Sequence, residues 1–541
     1  MNAGPKWWQT AVIYEVYPRS FADASGDGVG DLAGVTSRLD YMAGTLGVDT
    51  IWLCPFYPSP LVDFGYDVSD FTAVDPVYGT LADFDTLVRE AHGRGVRVII
   101  DYIPNHSSDR HPWFARSRSA RDDPKRDWYV WADPAPGGGP PSNWTSEMGG
   151  SAWQFDAATG QYYLHSFHPQ QPDLNWRSAA LREAMLGVLG FWLGHGADGI
   201  RIDVAHMLAK HPGFADNPVR SRPLRNLTDR QHPDYDTQEH VNDRLQPEVH
   251  EYLAMTRRVL DEWSRRTGRE RIAIAEVEVM PWDTWSRFFG QRDDGVHLPF
   301  NFQLIEADWS PEALAASIEG QEAALPAGAW PNYVLQNHDR PRLATRLGPQ
   351  HVRNAAMLLL TLRGTPTLYY GEELGLADLP ADPERWQDPL GRDESRAPMP
   401  WTSAPGGGFG PAGVSSWLPP YPDLATVSAE AQLRDPGSVL NLYRGLITLR
   451  RSVPALRGGG YETVKAAGGC LCYLRSTDEQ EVLVALNLGA GEASIELPRL
   501  GRLLLDTSGR RGEAPRRLLD LPPYSGAIVE LDPDERNGRG P

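Results

Sequence analysis

A closed barrel of eight parallel strands, alternating with helices and followed by a small all-β domain, is the fold class the sequence predicts. Three observations predict it. Short β-rich runs alternate with helical periodicity from the N-terminus to about residue 450; those runs number eight; and from about residue 456 the helical pattern gives way to alternating strands. A chain of this α/β kind lays its strands parallel. Eight strands fit closure into a (β/α)8 TIM barrel better than an open doubly wound sheet, which the count alone leaves possible.

The eight strand segments are AVIYEVYP (11–18), DTIWLCP (49–55), RVIIDYIPNH (97–106), DGIRIDV (198–204), RIAIAEV (271–277), LPFNFQLI (298–305), NYVLQNHD (332–339) and TPTLYYG (365–371). Between them lie LADFDTLVREAHGRG, SAALREAMLGVLGFWLGHG, EVHEYLAMTRRVLDEWSRR and QHVRNAAMLLLTLRG, with apolar residues at i, i+3/i+4 and glycine at several ends. Spacing is uneven in three places: residues 107–175 after the third strand, about 207–247 after the fourth, and about 372–436 after the eighth. Long loops of this kind are uncommon unless functional. All three follow a strand's C-terminal end, the face on which barrels build their sites. Beyond 456, CLCYLRS, EVLVALNL, ASIELP, RLLLDT and AIVELD read as an antiparallel β-domain, and the tail PDERNGRGP as disordered.

Composition narrows the function. A length of 541 residues implies about two to four domains. A net charge of −19 disfavours nucleic acid or an anionic membrane as partner, since both demand basic patches. Lys6, Lys125, Lys210 and Lys465 are the only lysines, and none sits in a motif fit for a Schiff base. Three cysteines, Cys54, Cys470 and Cys472, give no disulfide framework; Cys54 reads as a buried small hydrophobe. With no signal-peptide pattern at the N-terminus and no run of about 18 apolar residues, a cytoplasmic location is expected. The 18 Trp, 20 Tyr and 15 Phe mostly fill cores, with a surplus for stacking on sugar rings. GVGDLAGV lacks both GxGxxG and Gly-Lys-Ser/Thr and carries no nucleotide reading. His111, His165, His168 and His195 lack paired ligand spacing.

In a barrel, strand ends converge. The third strand brings Asp101, Asn105 and His106; the fourth Arg201 and Asp203; the fifth Glu276; the seventh His338 and Asp339. Glycoside hydrolysis needs two carboxylates astride the bond, one ionised nucleophile and one protonated acid. Asp203 suits the nucleophile, because Arg201 lies two residues earlier on the same strand face. Glu276 follows the apolar run IAIA, a setting that favours the acid, with Glu278 as a rival two residues on. A lone Asp at a strand end is commonly a helix N-cap, but three carboxylates at matching ends are not explained that way.

At these residues the chain resembles glycoside hydrolase family 13, the α-amylase family, and within it the α-glucosidase and oligo-1,6-glucosidase branch. DYIPNHSS (101–108), GIRIDVAH (199–206), AEVEVMP (275–281), QNHD (336–339) and QPDLNW (171–176) carry the resemblance, which runs from about Trp8 to the C-terminal domain. It implies Asp203 as nucleophile, Glu276 as acid/base and Asp339 as transition-state stabiliser. It also implies that Asp67 and Arg396 pin a terminal glucose in a subsite lined by Tyr66, His106, Arg201 and His338, with Arg392 a second candidate for the sugar-binding arginine. The chain then divides into barrel (1–106), inserted B domain (107–174), barrel continued (175–455, with the insertion at about 372–436) and C-terminal β-sandwich (456–541). No organic cofactor is implied. Asp23, Ser25, Asp27, Val29 and Asp31 space oxygen donors as an EF-hand loop does, with Gly28 at the sixth position, so a structural Ca2+ or Mg2+ is expected there, against the alternative of a plain Gly/Asp turn.

The expected activity is an exo-acting, retaining α-glucosidase on short oligosaccharides. Alternatives are a glucosyltransferase or isomerase on the same site, such as a trehalose or isomaltulose synthase, and a non-catalytic transporter-associated relative, which all three carboxylates and the lack of an apolar span disfavour. Val204 resembles relatives acting on α-1,6 bonds and Ala205-His206 those acting on maltose; maltose-type α-1,4 action is favoured, with oligo-1,6-glucosidase as the alternative.

Overall fold

The computed structural model describes residues 5–221, 232–292, 294–380, 387–388, 390–512 and 516–533. Its main sheet has eight parallel strands: β1 (Ile13–Val16), β2 (Thr50–Leu53), β3 (Arg97–Tyr102), β7 (Gly199–Ile202), β8 (Ile272–Glu276), β9 (Leu298–Phe300), β10 (Asn332–Val334) and β11 (Thr365–Tyr369). The order is β10-β11-β1-β2-β3-β7-β8-β9, so β1 pairs with both β2 and β11 and the sheet curls into a TIM barrel in chain order. Every expected strand segment supplies one strand. Within 298–305, however, the chain leaves the sheet after Phe300 and turns into a short helix, Gln303–Glu306.

Strand residues alternate between two cores, as a period of two requires. Ile13, Trp52, Ile99, Ile272, Ile274, Leu298, Phe300 and Val334 fill the barrel's interior. Tyr14, Ile51, Leu53, Ile100, Ile200 and Ala275 face outward onto the helices. Those helices carry matching stripes. Leu81–Gly93 opens with Thr80, whose side chain caps the N–H of Asp83, and buries Phe84, Leu87, Val88 and Ala91 at i, i+3, i+4 and i+7. Gly199 admits the close β7–β8 approach: a Cβ there would lie 2.6 Å from the Ile272 carbonyl oxygen.

The inward positions change character along the strands. Ile13 is followed two residues on by Glu15, Ile99 by Asp101, and Ile274 by Glu276, while Gly199 is followed by Arg201 and then Asp203. The same inward column is thus apolar at the barrel's N-terminal end and charged at the other. The stretch after β3 holds its own antiparallel sheet, ordered β4-β6-β5, from β4 (Trp131–Ala132), β5 (Trp153–Asp156) and β6 (Gln161–Leu164). It is tied back to the barrel mouth by a bridge between His106 and Asp173.

The C-terminal domain is one six-stranded antiparallel sheet, β12-β13-β14-β17-β15-β16. Its strands are β12 (Gly460–Ala467), β13 (Cys470–Ser476), β14 (Glu481–Asn487), β15 (Ala493–Asp506), β16 (Arg516–Leu521) and β17 (Ser525–Leu531). ASIELP and RLLLDT, expected as separate strands, form the single strand β15. It pairs with β16 through its first half and with β17 through its second, folding the sheet over Leu483, Ile495, Leu503 and Val529. The expected disordered tail lies almost wholly outside the described residues. All three cysteines are buried and unpaired. Among the described residues, no helix is long and apolar enough to cross a membrane.

Candidate active site

Arg201 organises the charged end of the barrel. It is fully buried, and its Nη1 donates to Asp101 Oδ1 and to Asp203 Oδ1, both at 2.8 Å, while Nη2 donates to Glu276 Oε2. One guanidinium therefore spans the two carboxylates expected at the reacting bond. Asp101 also accepts from Trp52 Nε1 at 3.0 Å and from the Tyr66 hydroxyl at 3.2 Å, which fixes the group on which Arg201 rests. Burial lifts the Asp203 carboxyl well above its usual range; Arg201 pulls against that, and the nearby charges of Glu276, Asp101 and Asp339 add to the rise. Glu276 faces a guanidinium rather than the purely apolar wall its IAIA approach implied.

Asp339 stands across the pocket. Burial disfavours its charge, but His338, Arg392 and Arg396 outweigh that and hold its carboxyl far below the usual range. Arg392 Nη1 and Arg396 Nη2 donate to its Oδ1 at 2.9 and 3.1 Å, and His338 Nε2 lies 3.1 Å from its Oδ2. His338 lies beneath the pocket, its Nδ1 against Glu15 Oε1 at 2.6 Å and its Nε2 2.8 Å from the Tyr66 hydroxyl.

The pocket wall includes Tyr66, His106, Asp203, Glu276 and Asp339, so the structure brings these five expected residues together. Burial lowers His106 to about 4, which leaves it neutral at pH 7. Arg201 and His338 support the wall from behind and are closed to solvent.

Two expected contacts need correcting. Asp67 does not reach the pocket. Its carboxylate turns back into its own loop, accepting from Ser59 Oγ at 2.7 Å and from the N–H groups of Asp63 and Val62 at 3.0 Å, and burial raises it to about 6. Asp63, four residues earlier, lines the wall instead, accepting from Gln171 Nε2 at 2.9 Å and from Arg392 Nη2 at 2.5 Å. Likewise the arginine on the wall is Arg392. Arg396 is 1% exposed and braces the floor, donating from Nε to the His338 carbonyl at 2.9 Å. One turn of 3₁₀ helix, Arg392–Arg396, separates the two side chains.

In the loop of Asp23, Ser25, Asp27, Val29 and Asp31 the carboxylates are engaged by main-chain N–H groups. Asp23 spends both oxygens on the N–H groups of Gly26 and Gly28, and Asp31 both of its own on Ala24, Ser25 and Gly34. Asp27 accepts from Val29 N. Among the described residues, taking one oxygen from each of these three carboxylates does not bring all three within 4.8 Å of one another. Each oxygen that accepts an N–H keeps a further lone pair, and Asp203, Glu276 and Asp339 lie outside this loop.

On the outer wall Val204 packs against Phe167, beside His206 and Glu278, all but Phe167 already singled out in the sequence; Phe167, Glu147, Met148, Phe302, Arg340 and Leu390 complete it and were missed. Val204 holds φ 34°, ψ 51°, a left-handed conformation costly for a β-branched residue, by about 1–3 kcal/mol. It turns the chain sharply after Asp203 and puts Val204 N 3.4 Å from Glu276 Oε2. His206 is buried beside the Glu276 main chain, and burial keeps it neutral. Glu278, the rival acid, pairs with Arg340 Nη2 at 2.9 Å.

Comparison with known proteins identifies the family. Residues 15–459 match the family model of the α-amylase catalytic domain. A probable α-glucosidase of Rhizobium meliloti (strain 1021) is 42% identical over 97% of both chains, and an oligo-1,6-glucosidase of Heyndrickxia coagulans is 33% identical over 91% of this chain and 94% of its own. Among solved structures, an α-glucosyl transfer enzyme superposes with a TM-score of 0.89 at 37% identity, over 98% of this chain and all of that one. The trehalulose synthase of Pseudomonas mesoacidophila MX-45 gives 0.87 at 33% identity over the same shares. The chain belongs to the α-amylase family, glycoside hydrolase family 13, and is a glycoside hydrolase.

Proposed function

We propose that the enzyme is an exo-acting, retaining α-glucosidase that removes terminal non-reducing α-linked glucose from short oligosaccharides, with maltose-type α-1,4 bonds favoured. The observation that carries this is Arg201 bridging Asp203 and Glu276. One guanidinium donating to both carboxylates supports a retaining pair, whose carboxyls stand about 5–5.5 Å apart in such enzymes, against about 6.5–9.5 Å when a water must fit between. Asp203 attacks C1 from one face while Glu276 gives its proton to the leaving oxygen. Glu276, now ionised, then takes a proton from the water that releases glucose from Asp203. Asp339, kept ionised by its two arginines and His338, faces the positive charge developing on the ring.

Exo action is supported by Arg392. It is locked to Asp63, Asp388 and Asp339, a fixed charged cluster at the pocket wall suited to gripping the hydroxyls of one terminal sugar. The unpaired cysteines support a reducing, cytoplasmic setting.

A second reading, glucosyl transfer or isomerisation, is favoured by the likeness to the α-glucosyl transfer enzyme and the trehalulose synthase, and an α-1,6 preference by the oligo-1,6-glucosidase relative. Initial rates and products on maltose, isomaltose, sucrose and trehalose separate them. Glucose released fastest from maltose is expected. Strict isomaltose preference overturns the linkage assignment, and an isomeric disaccharide accumulating from sucrose overturns hydrolysis as the main outcome.

A further inference from the structure

Beneath the pocket, Glu15 of β1, Cys54 just past β2 and His338 just past β10 meet in one closed cluster, each 0% exposed. Cys54 Sγ lies 3.5 Å from Glu15 Oε1 and 3.7 Å from His338 Nδ1, and those two atoms are 2.6 Å apart. Glu15 Oε2, also buried, has no hydrogen-bond partner. A thiol, an imidazole and a carboxylate converging beside an unused carboxylate oxygen form a donor set of zinc type.

The distances bear this out. Zinc bonds of about 2.3 Å to sulfur and about 2.0–2.1 Å to nitrogen and oxygen, arranged tetrahedrally, give edges of about 3.6 Å from sulfur and about 3.3 Å between nitrogen and oxygen. Both sulfur edges are already met. The third is shorter because a proton sits between Glu15 and His338, and it opens by about 0.7 Å once a cation replaces that proton.

We propose that Glu15, Cys54 and His338 form an inhibitory site for a thiophilic divalent cation of the Zn2+ class. Zn2+ bonds to Cys54 Sγ, His338 Nδ1 and Glu15, with Oε2 completing a bidentate carboxylate. The Cys54 thiol proton and the proton of the Glu15–His338 hydrogen bond leave to solvent, so binding strengthens as pH rises. Burial and the charge of Glu15 push the free Cys54 thiol well above its usual range, so without metal it stays protonated and inert. Occupancy draws the His338 ring away from Tyr66 and Asp339. Because all three side chains are closed, entry waits on opening of the pocket floor, and inhibition sets in slowly.

The test titrates chelator-treated, desalted enzyme with Zn2+ by calorimetry and follows activity over time at each concentration. One equivalent bound, slow loss of activity and recovery with EDTA are expected. Cys54→Ser and Cys54→Ala keep activity within about twofold of the parent and need at least about tenfold more Zn2+ for the same inhibition. Equal sensitivity in parent and variants overturns the proposal, as does a parent that binds no Zn2+. If the variants fail to fold, the parent loaded with Co2+, with Cys470 and Cys472 changed to Ala, decides. A thiolate-to-cobalt charge-transfer band supports the site, and its absence overturns it. The binding and spectroscopic arms read no turnover, so they stand apart from the glucosidase assignment.

Discussion

Replacing Asp63 and Asp67 in turn by Ala separates a residue that meets substrate from one that holds a loop. Asp67 is fully buried and serves three donors: Ser59 Oγ and the N–H groups of Val62 and Asp63. Each donor left unmet costs about 1–3 kcal/mol; with some water entry, Asp67→Ala loses about 2–4 kcal/mol of stability. Asp63 instead lines the pocket and holds Arg392. A charged hydrogen bond to a sugar hydroxyl contributes about 1.5–3 kcal/mol, and loosening Arg392 adds about 1 kcal/mol more. At about 1.4 kcal/mol per tenfold, kcat/KM of Asp63→Ala falls about 10²–10³-fold. The assay pairs melting curves with kcat/KM on maltose, normalised to folded enzyme. Asp67→Ala should melt early yet keep activity within about tenfold, and Asp63→Ala the reverse. Equal activity losses in two folded variants, or a larger one in Asp67→Ala, refute the placement of Asp63 on the sugar.

Asp203→Asn and Glu276→Gln each cut kcat by at least about 10³-fold, while Glu278→Gln, whose partner is Arg340, costs far less; steady-state rates on maltose check this. Lys210→Met removes the Nζ that contacts Asp173 at 2.6 Å and Asn105 at 2.7 Å in a buried setting, and costs about 3–5 kcal/mol of stability. Lys210 holds the Asp173 carboxyl below its usual range against the opposing effect of burial. The stability it confers is therefore present above the unfolded carboxylate value of about 4, and the gap between parent and variant closes as pH falls through that region. Glu372 has the opposite sign. Burial raises it to about 7, so the unfolded chain releases this proton near 4.5 and the folded chain only near 7. Its contribution is lost as pH rises between those values, on the order of 3 kcal/mol, and Glu372→Gln flattens the melting profile over that window.

Much of this site was legible because strand alternation is a strong constraint. Asp101, Arg201, Asp203 and Glu276 lie at the ends of apolar runs, and period two puts them on the face of Ile99, Gly199 and Ile274. Loops gave less. Nothing in GYDVSDF tells that Asp67 turns inward to cap main-chain N–H groups while Asp63 turns out, because both spacings suit a turn. Arg392 and Arg396 sit one turn apart, and tertiary contacts alone decide which faces the cavity. The Asp23–Asp31 loop has the donor spacing of a cation site, and its carboxylates also accept backbone N–H groups, contacts that spacing does not reveal. Glu15 left a usable signal: a carboxylate inside AVIYEVYP, on the same face as Ile13, must be buried and must therefore have a partner. In the C-terminal domain, Pro498 and Gly501 read as a break between strands, yet the chain bends there and continues as β15.

The central claim is that Asp203 and Glu276 act as a retaining pair. Proton NMR of the first glucose released from an aryl α-glucoside, whose leaving group has no anomeric centre of its own, recorded before mutarotation, tests it most directly. The account predicts that the α-anomer appears first and β builds up only as the sugar equilibrates. Initial release of the β-anomer would contradict it.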